Sequence, residues 1–142
     1  MYYRDEVGNI STSRAFRDDR NAVVKLGLAP RYALLGGWKA NWEIGYNLNT
    51  QGFLSHDGNK FELNKIPIEF ALSSILTEKY TIRIILPEGA SHVNLFIGSE
   101  PVDMGKVSQG VSFGYLDFTG RPTFIVENLK GLFKDQKLKV TY

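Results

Sequence analysis

Twelve residues near the start of the chain, "YYRDEVGNISTS", hold its densest mixture of groups able to do chemistry: two phenols, a guanidinium, the adjacent carboxylates Asp5 and Glu6, the Asn9 amide and three hydroxyls. Two chemistries are open to them. Paired carboxylates act as acid and base when their surroundings push the two pKa values apart, and an Asn-x-Ser triplet without a middle proline accepts an N-glycan. Asp5-Glu6, like Asp18-Asp19 further on, interleaves with Arg4, Arg17 and Arg20. Such a mixture is ordinarily a solvated, self-neutralising surface, and no acid–base pair is expected there. Asn9-Ile10-Ser11 is the one acceptor triplet in the chain. Asn9 is the candidate glycan acceptor, a role that also requires a secretory setting.

Elsewhere the reactive inventory is thin. The chain has no cysteine, so disulfides, thiolate zinc sites and cysteine nucleophiles are excluded together. Its two histidines are His56, between Ser55 and Asp57 at a hairpin tip, and His92, just before a strand. Neither has a carboxylate at triad or ligand spacing, so no catalytic residue, metal or cofactor is expected. "GKVSQGVS" imitates a phosphate-binding loop, but Val111 stands where lysine is needed and a strand follows instead of a helix.

Composition narrows the rest. With 17 basic and 15 acidic residues the net charge is +2, and no basic stripe of the kind that holds nucleic acid is present. No apolar run reaches the roughly 18 residues of a membrane span, and Met1 opens directly on a strand-like "YYR" without an apolar signal core. A length of 142 residues fits one domain, residues 1–142.

The elements that must carry these groups read as strands. From Trp38 to Leu48 apolar and polar residues alternate, which predicts an eleven-residue strand with Trp38, Trp42, Ile44 and Tyr46 in the core. Those aromatics are alternatively a sugar-stacking platform, should Trp38 and Trp42 be exposed. Gly36-Gly37 predicts a turn, and "AVVKLGL" and "RYALL" further strands. Asp57-Gly58 predicts a hairpin between "GFL" and "KFEL". Past it, the parity of apolar residues changes at Asn64-Lys65, predicting a bulge, and Pro67 predicts an edge position. "FALSSILTEKY" fits either a helical turn or a connection. "YTIRIILP" places Tyr80, Ile82, Ile84 and Leu86 on one face before a Pro87-Glu88-Gly89 turn, and "HVNLFIG", "GVSFGYLDF", "TFIVEN" and "LKVTY" complete about nine short strands. The economical fold is all-β, an antiparallel β-sandwich of immunoglobulin-like kind.

Four islands, "YYRDEVGNISTS", "YALLGGWKANWEIGYNL", "IRIILPEGA" and "YLDFTGRP", resemble in sequence and order the luminal region of the ribophorin I family. The resemblance implies a non-catalytic subunit of the dolichyl-diphosphooligosaccharide–protein glycosyltransferase complex in the endoplasmic reticulum lumen. Its transferase chemistry would lie in a separate membrane-embedded subunit. It implies a β-sandwich similar to the N-terminal, non-catalytic part of an aminopeptidase, excised from a longer protein whose membrane helix lies outside this chain. It implies partners among the other subunits of that complex, admits a nascent polypeptide, and involves neither nucleic acid nor a cofactor. The family's glycan acceptor in this stretch maps onto Asn9. The alternative function is a carbohydrate-binding β-sandwich module using the aromatic face.

Overall fold

A computed structural model describes residues 1–18, 23–67, 78–129 and 137–142. The described residues form twelve strands: β1 Tyr2–Asp5, β2 Arg14–Asp18, β3 Val23–Gly27, β4 Trp42–Gly45, β5 Leu54–Asp57, β6 Lys60–Pro67, β7 Tyr80–Ile85, β8 Asn94–Ile97, β9 Glu100–Pro101, β10 Ser108–Ser112, β11 Arg121–Leu129 and β12 Lys137–Thr141. A short 3-10 turn, Met104–Lys106, follows β9. Every described ladder is antiparallel. The count exceeds the nine expected partly because β2 and β9 are short pairings with no alternation long enough to announce them, while β1 falls on the strand-like "YYR". The chain divides into two compact units, Met1–Leu48 and Asn49–Tyr142.

The larger unit is the sandwich. One sheet has the order β10-β11-β7 and the other β5-β6-β12-β8-β9. Inward side chains from both meet in one cluster: Ile84 and Leu86 in and after β7, Phe124 and Val126 from β11, Leu95 from β8, Leu138 and Val140 from β12, with Val107. Successive strand residues point to opposite faces, so a sheet with one covered face needs every second residue apolar. In β7 this holds as predicted: Ile84 and Leu86 are buried, Tyr80 and Ile82 half-buried, and Thr81, Arg83 and Ile85 exposed.

The turns and irregularities of this unit also follow their residues. Asp57 pairs with Lys60 across Gly58-Asn59, and Gly58 has φ +57°, the left-handed geometry that a two-residue hairpin needs and glycine supplies without a Cβ clash. In the β6–β12 ladder, Leu138 faces Ile66 while Val140 faces Leu63. Strand β6 therefore carries an extra residue at the Asn64-Lys65 position. Pairing with β5 stops at Leu63, so Pro67 lies where β6 has a single described neighbour, β12. The segment "GVSFGYLDF" is strand only to Ser112 and a loop beyond it. Residues 70–77, where the ambiguous helical segment falls, lie outside the described residues.

Among its described residues the smaller unit holds two separate ribbons, β1-β4 and β2-β3, and the buried apolar side chains are Tyr3 and Ile10. Here the expected strand from Trp38 to Leu48 shrinks to β4. Residues 35–38 instead form a turn, with the Trp38 N–H donating to the Leu35 carbonyl at 3.0 Å and Gly37 at φ +83°. "RYALL" contains no strand. The faces alternate as expected, since Tyr3 packs edge-on against Trp42 at 5.7 Å while Glu43 pairs with Arg4 on the other side. The burial does not follow: Trp38 is 57% exposed, Trp42 40% and Tyr46 54%, with Ile44 half-buried. A two-stranded ribbon offers no second layer to cover a row of large side chains.

The sandwich core yields a direct expectation. Leu95→Ala, at a position 1% exposed, lowers unfolding free energy by about 2–5 kcal/mol. Ile85→Thr, on the outward face of the same sandwich, changes it by about 0.5 kcal/mol or less. Urea unfolding of the two variants checks the difference; equal losses would place Ile85 in the core and contradict the register.

Candidate functional site

Asn9 sits at the foot of a tight hairpin built by "RDEVGNI". Its turn is closed by reciprocal backbone bonds between Asp5 and Gly8, at 3.0 and 3.2 Å, and Gly8 adopts φ +137°. Beyond the turn Asn9 bridges to Arg4, and the Ile10 N–H donates to the Tyr3 carbonyl at 2.9 Å. The three triplet residues therefore separate by face. Asn9 and Ser11 are exposed, while Ile10 is buried, anchoring the backbone between them. Asn9 borders a shallow hollow of about 240 Å³ that it shares with Tyr2 and Ser13.

One guanidinium organises the loop. Arg31 donates through Nε to Asp5 Oδ2 at 2.7 Å and through Nη2 to Asp5 Oδ1 at 2.9 Å, to the Gly8 carbonyl at 3.0 Å and to the Asn9 carbonyl at 3.1 Å. The β2-β3 hairpin returns the chain to this point, helped by the Thr12 hydroxyl donating to the Ala29 carbonyl at 2.9 Å. Asp5 Oδ1 also accepts from the N–H groups of Val7 and Gly8, each at 3.0 Å. Hydrogen bonding by Arg31, reinforced by those two N–H groups, lowers the Asp5 carboxyl from an ordinary 3.8 to about 2.

The expected mutual neutralisation of neighbouring charges takes a different form. Arg4 pairs with Glu43, Asp5 with Arg31, and Glu6 accepts from Asn41 at 2.8 Å, so the partners are distant in sequence. Asp19 and Arg20 lie outside the described residues, as does the Asp18 side chain. Beside Arg4, Glu6 and Glu43 an open hollow of about 520 Å³ includes Asn41 and Trp42. The aromatic face forms no compact platform: Tyr32 meets Trp38 edge-on at 6.2 Å, and Trp42 meets Tyr3.

The two histidines, read separately from the sequence, border one hollow of about 660 Å³ in the larger unit, with Phe61, Glu62 and Tyr142 among its walls. Strand β12 brings β8 and β6 to its two sides, and no sequence spacing announces that juxtaposition. His56 lies 6.0 Å from the Phe61 ring, which stacks on Tyr142 at 5.4 Å. His92 contacts Ser91 Oγ at 3.1 Å. Among the described residues no three histidine or acidic side chains converge on a metal position. "GKVSQGVS" forms the end of the 3-10 turn and β10, without a helix N-terminus to face a phosphate.

The Asp5 shift carries a sign. A carboxyl depressed by folding contributes stability that is complete above its unfolded pKa, near 3.8, and is lost as pH falls through about 2. Hydrogen-exchange protection of the Gly8 and Ile10 amides, corrected for intrinsic rates, is therefore expected to hold from pH 7 to about 4 and to decline below it. Asp5→Ala should lower that protection and abolish the acid-dependent decline. Protection that weakens instead between pH 7 and 5 would assign the loop's stability to another group.

Comparison with known proteins reaches the same family that the four sequence islands resemble. The ribophorin I family model matches residues 1–142. The chain is 36% identical over 127 residues to dolichyl-diphosphooligosaccharide–protein glycosyltransferase subunit 1A of Arabidopsis thaliana, covering 89% of this chain and 20% of that protein. It is 35% identical over 127 residues to subunit 1 of Caenorhabditis elegans, covering 89% and 21%. Against subunit 1B of Oryza sativa subsp. japonica it is 36% identical over 131 residues, covering 89% and 26%. The chain thus spans about a fifth to a quarter of the length of these relatives. Matched by the family model from its first residue to its last, the chain belongs to the ribophorin I family.

Proposed function

We propose that this chain is a non-catalytic luminal β domain of a dolichyl-diphosphooligosaccharide–protein glycosyltransferase subunit. It supports N-linked glycosylation in the endoplasmic reticulum as a scaffold that holds other subunits or presents the acceptor polypeptide. The observation that carries this is the family match along the whole chain. The chemistry of the carboxylates supports it. A general acid at neutral pH needs a raised carboxyl pKa, and the four carboxyls Asp5, Glu62, Glu88 and Asp117 are each lowered by hydrogen bonds that favour the ionised form, so these four are unsuited to that one role.

Asn9 is the glycan acceptor in this proposal. Its exposure, the exposed Ser11 two residues on and the hollow beside it suit a bulky hydrophilic adduct, which no core position tolerates. A second function, carbohydrate binding, is favoured by one observation: Trp38 and Trp42 are exposed, and Trp42 borders a hollow with the polar groups of Arg4, Asn41 and Glu43.

Three measurements separate these possibilities. Incubated with lipid-linked oligosaccharide and acceptor peptide, the isolated chain should give no glycopeptide, and turnover would overturn the scaffold role. Intact mass after secretory expression should fall by one glycan in Asn9→Gln; a change equal to the substitution alone would refute the acceptor. Titration with N-acetylglucosamine oligomers should leave tryptophan fluorescence unchanged, and a saturable change abolished by Trp42→Ala would favour the carbohydrate-binding function instead.

A further inference from the structure

The hairpin arm that carries Asn9 lies on one side of β1, and β4 lies on the other. Asn9 stands directly opposite Arg4, and Arg4 opposite Glu43. The backbone bonds flanking the first pair join Asp5 to Gly8 and Ile10 to Tyr3, so Asn9 and Arg4 occupy a non-hydrogen-bonded position. Residues so placed share a face and bring their side chains closest. Asn9, Arg4 and Glu43 therefore form one row across three segments, and all three are exposed. On the opposite face Tyr3 and Ile10 are buried.

Two residues along β1 from Arg4, Tyr2 shares the exposed face and stands opposite Gly45. Its ring fills the space above Gly45, where a Cβ would collide with it. Glycine at 45 thus lets the phenol lie across β4. Arg4 places its guanidinium carbon 5.0 Å from the centre of that ring, while its Nε donates to Glu43. Tyr2 is still 48% exposed. The result is a low floor of phenol, guanidinium and carboxylate with Asn9 at its border. Asn9 and Tyr2 also line one hollow, of about 240 Å³.

We propose that this floor seats the first sugars of the N-glycan carried by Asn9, so that the Tyr2–Arg4–Glu43 face is a carbohydrate site filled from within the same chain. The proposal rests on Asn9 being the acceptor. A pyranose has an apolar face of C–H groups and a rim of hydroxyls. The half-exposed phenol suits the first, and a guanidinium beside a carboxylate supplies donors and acceptors for the second. N-acetylglucosamine, the sugar joined to asparagine in an N-glycan, adds an acetamido group that both donates and accepts.

Register sets the direction. The Asn9 side chain leaves the backbone on the face of the floor, and β4 lies two strand spacings away, about 10 Å, a span of about two sugar rings. Covalent attachment matters as much. A tethered sugar meets the floor at high effective concentration, without the cost of capturing a free ligand. A shallow face that would hold a free saccharide weakly is then sufficient. The exposed pair of Arg4 and Glu43 is worth little in water, so sharing its groups with sugar hydroxyls gives up little.

The test uses the full-length subunit expressed through the secretory pathway. Mass analysis first establishes whether Asn9 is occupied. An endoglycosidase that cuts between the first two N-acetylglucosamines then reads how far the glycan core is shielded. Cleavage at Asn9 should be about tenfold or more slower in the native subunit than after denaturation, and Tyr2→Ser or Arg4→Ala should each recover most of that factor. Hydrogen exchange of residues 2–13 separates seating from folding. Tyr2→Ser should lower protection more in the glycosylated subunit than in the Asn9→Gln background, the excess being the contact with sugar. Equal losses in the two backgrounds would overturn the proposal by assigning Tyr2 to the fold alone. So would a core cleaved equally fast in the native and denatured subunit, or shielding that neither variant relieves. If Asn9 carries no glycan, the acceptor role fails and the seat with it; if the glycan is present and the variants change nothing, the seat alone falls.

Discussion

Backbone N–H groups that leave a β-ladder must find another acceptor, and in this chain carboxylates supply it at the decisive turns. Asp5 takes the N–H groups of Val7 and Gly8, Glu88 those of residues 118–120, and Asp117 that of Gly114. Two of the three are also locked by a guanidinium, Asp5 by Arg31 and Asp117 by Arg121. These interactions shape the hairpin that displays Asn9 and the loop between β10 and β11. A carboxylate fully engaged as an acceptor is held ionised, so it cannot also deliver a proton at neutral pH. The same hydrogen bonds that lower these carboxyls fix the shape of the turns.

The larger unit provides the frame on which such loops can be precise. Two antiparallel sheets close over Leu95 and Val140, the most completely buried side chains, and the connections between strands carry the polar braces. The smaller unit is organised differently. Among its described residues it has two ribbons and two buried apolar side chains, and long-range polar contacts join its segments: Arg31 to Asp5, Asn41 to Glu6 and Arg4 to Glu43. Its exposed tryptophans keep carbohydrate binding as the competing function.

Local rules were legible where the chain's own periodicity and turn chemistry decide the outcome. The β7 alternation, the Asp57-Gly58 hairpin and the Asn64-Lys65 bulge each follow from residues within a few positions of one another. The stretch from Trp38 to Leu48 misled because period-two patterning reports which residues share a face and not whether a second layer covers it. The turn at 35–38 and the short β4 leave the indoles without that cover. The acceptor triplet at Asn9 was readable as a string, but the clamp that presents it was not, since Arg31 is separated from Asp5 by 26 residues. Glu88 reaches a loop some 30 residues away, and His56 and His92 border one hollow only because the sheet order sets β6 and β12 between β5 and β8. Such contacts belong to topology, and no local spacing encodes them.

The central claim, that the loop carboxylates are braces held ionised by the hydrogen bonds they accept, is open to one direct measurement: titration of the side-chain carboxyl carbons of Asp5, Glu88 and Asp117 by NMR. All three should ionise below the ordinary carboxylate range, Asp5 near 2, because hydrogen bonds favour the charged form. A carboxyl among them that still holds its proton near neutral pH would be poised as a general acid, and would contradict the account.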